Sequence, residues 1–275
     1  MDRAAPVRLF ASTDLDQSLK EWYEVPVIVT PDWDCVGTCT GPVRGAGVAI
    51  ECSSTDYIID LNKLSNDSQP LFKIDFSRDT DDSGLSVLNM RLLYVTGYES
   101  SCRAKIATQS CSVRLATVIY STIRRNTTIA LDHTIASSDQ TNYPQTLEIQ
   151  SILANASSVD NLPADALSAI EYFGYYFLQS NATAVRPGTP GGEISWEPSG
   201  VIPRQYTNFL SNNDSCALQW DNATDDLIWA LHDVMFRLAY ASASGKYGKS
   251  SQYHLTQSHT LSLSLFWICG SNGHV

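Results

Sequence analysis

Seven cysteines, at positions 35, 39, 52, 102, 111, 216 and 269, constrain this chain more than any other feature. Each bonded pair must bring two stretches of backbone to within about 4.4–6.8 Å, Cα to Cα. Cys35, Cys39 and Cys52 cluster early, Cys102 and Cys111 bracket a short stretch, Cys216 stands alone and Cys269 lies in the tail. A zinc site needs close Cys pairs matched by a second pair or by histidines, and only the Cys35/Cys39 spacing approaches that. Cys35, Cys39, Cys52, Cys102, Cys111 and Cys216 are therefore read as disulfide candidates, with Cys269 free. Six cysteines pair in about 15 ways. The short interval between Cys102 and Cys111 suggests that one link and leaves the others open. Seven cysteines among 275 residues reinforce a core and do not replace one.

A second signal points to the same compartment. Asn-X-Ser/Thr occurs at Asn66, Asn126, Asn155, Asn181, Asn213 and Asn222, against about two or three expected from the Ser and Thr content. Most of these asparagines fall in polar stretches or at element ends, where a bulky glycan projects into solvent. Disulfides persist in oxidising compartments, so the expected location is the secretory pathway and the extracellular side of a membrane.

The formal charge of −11 argues against a nucleic-acid partner, since phosphate binding needs clustered Lys and Arg and the longest basic run is Arg124-Arg125. Met1-Asp2-Arg3-Ala4-Ala5-Pro6 lacks the charged and apolar regions of a signal peptide. No stretch reaches the roughly 18 apolar residues of a spanning helix, and Leu261–Cys269 is short and interrupted by serines. The expectation is a fragment whose membrane association runs through missing flanking helices; a cytosolic protein with accidental sequons is the alternative.

Period-two patterning places strands at Gly47–Cys52, Tyr57–Leu61, Leu71–Phe76, Val87–Val95, Ser112–Ile123, Thr128–Asp132 and Thr146–Gln150, after a start at Val25–Val29. Leu88, Met90, Leu92 and Tyr94 alternate with Asn89 and Arg91, a one-sided burial that suits an antiparallel sheet. Two helices follow. One runs from Pro163 to Leu178 on Leu167, Ile170 and Phe177; the other begins at Asp225-Asp226 and carries Leu227, Leu231, Val234 and Leu238 up to Gly245. The fold class is α+β: a mainly antiparallel, sandwich-like sheet with two packed helices, stapled by disulfides. Residues 1–24 form a lead-in and 25–245 a single ectodomain, β-rich over 25–150 and helical over 151–245 with a Pro/Gly loop at 184–204. Residues 246–275 are a polar tail read as truncated before a transmembrane helix.

Motifs for chemistry are weak. Asp79-Thr80-Asp81-Asp82-Ser83-Gly84 resembles the opening of a calcium loop, but Met90 stands where its bidentate Glu belongs, and a polar hairpin explains the same residues. No Gly-X-Ser-X-Gly elbow occurs. His133, His232, His254, His259 and His274 show no partner constellation, and His254 and His259 lack the Glu of a helical zinc site. The 29 acidic residues guarantee carboxylate pairs by chance, so a hydrolase built on such a pair stays an alternative. Trp22, Trp33, Trp196, Trp220, Trp229 and Trp267 read as core before sugar platforms. Gly37, Gly41, Gly45 and Gly47 read as turns around the cysteine cluster, and no cofactor motif is present.

The run Pro31-Asp32-Trp33-Asp34-Cys35-Val36-Gly37-Thr38-Cys39, followed by Gly45-Ala46-Gly47 and Cys52, resembles the start of the ectodomain in a group of uncharacterised fungal membrane proteins. Asp233-Val234-Met235-Phe236-Arg237-Leu238-Ala239-Tyr240-Ala241-Ser242-Ala243 resembles a second landmark near that ectodomain's end. The landmarks bracket about 210 residues. The resemblance implies an extracellular domain held between membrane-spanning helices, with no catalytic residues to carry over. The expected role is a non-catalytic interaction or sensing domain whose partner is an extracellular ligand or protein.

Overall fold

The computed structural model describes residues 28–29, 37–63, 68–81, 86–100, 102–125, 127–132, 145–149, 166–185, 195–200, 207–209, 218–221, 223–244 and 268–269. In chain order the strands are β1 (Ile28–Val29), β2 (Thr38–Asp60), β3 (Gln69–Thr80), β4 (Ser86–Ser100), β5 (Arg103–Arg125), β6 (Thr128–Leu131) and β7 (Gln145–Ile149). Helix α1 (Ala166–Phe173) comes next. Strands β8 (Ser180–Val185), β9 (Ser195–Ser199), β10 (Thr207–Phe209) and β11 (Leu218–Trp220) precede helix α2 (Ala223–Ser244), and β12 (Ile268–Cys269) follows it. Among the described residues ten strands share one sheet, and β10 and β11 form a ribbon of their own. The architecture is mainly antiparallel β-sheet with one long helix and a disulfide.

Two compact units divide the chain, and β2, β5, α1 and α2 each supply residues to both. In the first unit, β5 pairs antiparallel with β6 (Arg125 opposite Thr128) and with β7, and β6 pairs with β1. Ala116, Val118 and Tyr120 recur at period two along β5 and build a core with Ile28, Ala49, Ile129, Leu131 and Phe236. The Tyr120 and Phe236 rings lie 5.2 Å apart. Gly41, Gly45 and Gly47 sit in strand β2, not in turns, which corrects the expectation from spacing. A Cβ on Gly47 would collide with the Tyr120 hydroxyl and a Val118 methyl, so glycine is what lets β2 lie close to β5 here. Gly37, at φ 90° immediately before β2, does fit a turn.

The second unit is built on the β3–β4 hairpin, with Phe72 opposite Tyr94 and Thr80 opposite Ser86. Leu88, Met90, Leu92 and Tyr94 are all buried, as their alternation predicts, while Arg91 is exposed. β4 continues into β5 and β3 into β8 and β9. Trp220 packs on Phe72 at 5.1 Å, so this tryptophan is core. The Tyr98 hydroxyl donates to Leu218 O at 3.0 Å and ties β11 down.

The expected helix from Pro163 to Leu178 is shorter in its α part. After Phe173 the chain widens into a π turn, Gly174–Leu178, where Gln179 N donates to Gly174 O at 2.6 Å. Gly174 packs flat on the Phe76 ring, and any Cβ there would meet that ring. Residues 184–204, expected as loop, contain the end of β8 and all of β9. Among the described residues β9 is the edge strand of the sheet, the kind of strand in which a proline such as Pro198 is tolerated. Helix α2 matches its pattern. Asp225 and Asp226 occupy the positive first turn, and Leu227, Leu231 and Val234 are buried.

Candidate functional site

In the second unit β2 is held straight by a chain of contacts to β5. Cys52 is bonded to Cys111, with Cα atoms 4.0 Å apart and 59 residues between them in sequence. Ser53 Oγ donates to Ser110 O at 3.4 Å, and Gln109 Nε2 donates to Ser54 Oγ at 3.0 Å. Lys105 meets Asp56 at 3.2 Å, and Leu61 N donates to Cys102 O at 2.9 Å. Partners fall on β5 as they rise on β2, so the two strands run antiparallel.

Every residue from Glu51 to Ile58 is exposed. Successive strand residues face opposite ways, so both faces of this stretch meet solvent. Among the described residues β2 pairs only with β5 and, at Cys39 and Thr40, with β12. The result is an extended edge offering main-chain groups and two large apolar side chains, Tyr57 (41% accessible) and Ile58 (42%). Glu51 and Asp56 add negative charge to it. Charged residues on an edge discourage pairing with another copy of itself while leaving an oppositely charged or neutral strand welcome.

A buried polar group in the first unit is the competing candidate. His232 is 2% accessible and its ring meets the edge of Tyr120 at 6.5 Å. Burial holds its imidazole down to about 4, so it is neutral near pH 7. Burial, then the charge of Asp233, pushes the Tyr120 hydroxyl well up. Arg237 Nε donates to Asp233 Oδ2 at 3.0 Å one helical turn on. A general base works best with its pKa near the working pH and within reach of substrate; His232 has neither, and the cluster reads as packing.

Of the expected disulfide cysteines, Cys39, Cys52, Cys102 and Cys111 are all disulfide-bonded. Cys35 and Cys216 lie outside the described residues. The suggested Cys102–Cys111 link is wrong, because Cys111 is bonded to Cys52. Cys102 ends the tight β4–β5 turn at φ 62°, immediately before β5, and Cys111 lies well along β5. Nine residue steps along an extended strand put them roughly 30 Å apart, far beyond the reach of a disulfide. Of the sequons, Asn181 falls on β8, beside Thr183 on the partly exposed side, and its Nδ2 donates to Thr183 Oγ1 at 3.1 Å. Asn66, Asn126, Asn155, Asn213 and Asn222 lie outside the described residues, as do His133, His254, His259 and His274.

Among the described residues no group of three His, Cys, Asp or Glu is placed to hold a metal ion. Asp79 is the penultimate residue of β3, and its Oδ1 accepts from Thr80 N at 2.8 Å as the chain enters the β3–β4 hairpin. No described helix is long and apolar enough to cross a membrane. Neither a protein-family model nor a curated protein nor a solved structure matches the chain. Tyr57 and Ile58 were not singled out by sequence reasoning. The polar run Cys52–Asp56 before them is an exposed strand and not a gap between two strands, and its exposure follows from the sheet order and not from a local pattern.

Proposed function

We propose that this chain is the non-catalytic, extracellular interaction or sensing domain of a fungal membrane protein, a disulfide-stapled and sandwich-like module that passes through the secretory pathway. The observation that carries this reading is the Cys52–Cys111 bond, in which Cys52 is exposed and Cys111 buried. Reductants of the cytosol keep accessible thiols reduced, whereas secretory compartments keep them paired. The sequons and the resemblance at Pro31–Cys39 and Asp233–Ala243 support the same location.

The contact surface in this reading is the Glu51–Ile58 edge. A partner contributes an extended segment that adds to β2 through main-chain hydrogen bonds, with Tyr57 and Ile58 supplying apolar anchors. The staple to β5 favours such binding because the edge is extended before the partner arrives, and less ordering entropy is lost on contact. The test is surface labelling of the tagged protein in a fungal host with a membrane-impermeant amine reagent, with and without peptide N-glycosidase. Labelling of intact cells and a mass drop on deglycosylation are expected. A protein labelled only after lysis, with no mass drop, refutes the assignment.

A further inference from the structure

β12 is two residues long, and it lies antiparallel against the start of β2, with Ile268 opposite Thr40 and Cys269 opposite Cys39. Two ladder positions are little to hold a chain segment, because each ordered residue costs about 1–2 kcal/mol of backbone entropy. Cys39 is buried and disulfide-bonded. Residues directly opposite in an antiparallel ladder have Cα atoms about 4.5–5.5 Å apart, inside the span a disulfide bridges. This chain already uses that arrangement once, in the cross-strand bond between Cys52 and Cys111.

We propose that the disulfide partner of Cys39 is Cys269, a second cross-strand staple on β2 that closes the end of the chain onto its beginning. The expectation that Cys269 is free is thereby replaced. Cys35, four positions upstream, is the rival; the register places Cys269 directly across the ladder from Cys39. The link fixes β12 against the start of β2. It rests on the secretory reading for its oxidant, a disulfide-carrying exchange protein. That carrier forms a mixed disulfide with Cys39. The Cys269 thiolate then attacks the Cys39 sulfur, the new S–S bond forms, and the carrier leaves as its dithiol, having taken up two electrons.

The test uses the whole chain secreted from a eukaryotic host, blocked with N-ethylmaleimide and digested with trypsin without reduction. The peptide 21–44 holds both Cys35 and Cys39, and the peptide 250–275 holds Cys269. The two are expected joined in the wild type and in C35S, and separate in C39S, where Cys269 is alkylated. An internal 35–39 disulfide with alkylated Cys269, or a join that survives C39S and disappears in C35S, overturns the proposal. Should C39S fail to be secreted, C35S alone decides, since loss of the join there points to Cys35. If Cys52 and Cys111 are linked while Cys39 is bonded elsewhere, only this inference fails; if all are alkylated, the secretory reading falls with it.

Discussion

Acid should loosen the first unit through one residue. His232 is buried among Tyr120 and the rest of helix α2, and burial lowers its pKa from 6.5 to about 4. Between those values the unfolded chain holds a proton that the folded chain does not, so stability falls as pH falls. The contribution is intact above about pH 6.5, declines through the window, and loses nothing more once the folded imidazole titrates near 4. One pH unit corresponds to about 1.4 kcal/mol, so by pH 4.5 the loss from this residue is on the order of 2–3 kcal/mol. The assay is urea unfolding at pH 7 and at pH 4.5, for the wild type and for His232→Leu, which has similar volume and no titrating ring. The variant should lose on the order of 2–3 kcal/mol less than the wild type over that interval. An unchanged pH dependence in His232→Leu would show that the imidazole is not held neutral by burial, and would undo the packing interpretation of the Tyr120–His232 contact.

Removing the staple with Cys52→Ser/Cys111→Ser frees a 59-residue separation and should cost about 4 kcal/mol on the chain-entropy estimate, read as a fall in the thermal midpoint; an unchanged midpoint would contradict it. Gly47→Ala should cost roughly 1–3 kcal/mol through the clash with Tyr120 and Val118, and adding Tyr120→Phe should restore part of that in chemical denaturation. If Asn181 is an acceptor in the secreted protein, Asn181→Gln and Thr183→Ala should each remove the same single glycan by intact-mass measurement, while Thr183→Ser should keep it.

What the sequence showed plainly is what packing decides. Leu88, Met90 and Leu92 alternate because one side of β4 is core, and α2 keeps Leu227, Leu231 and Val234 at helical spacing because that stripe is buried. β2 escaped because its exposed edge imposes no apolar period, so Cys52-Ser53-Ser54-Thr55-Asp56 looked like a break between two strands. β8 escaped for a related reason. Ser180-Asn181-Ala182-Thr183-Ala184-Val185 is polar and small, and it is strand because β3 and β9 flank it, not because of its own preference. The Cys102–Cys111 error came from treating short separation in sequence as short separation in space, which an extended strand makes false. The candidate edge was legible only in part: its cysteine was visible, but the exposure of Tyr57 and Ile58 depends on a sheet order that no local pattern encodes.

The central claim is that thiols of this chain are coupled outside a reducing compartment. Its most direct measurement is the state of Cys52 and Cys111 in protein taken from its native host, alkylated at the moment of lysis and digested without reduction. The tryptic peptide 45–63 is expected in covalent union with 106–114 and to separate from it only when a reductant is added. Recovery of both peptides singly, each carrying the alkylating group, would contradict the account.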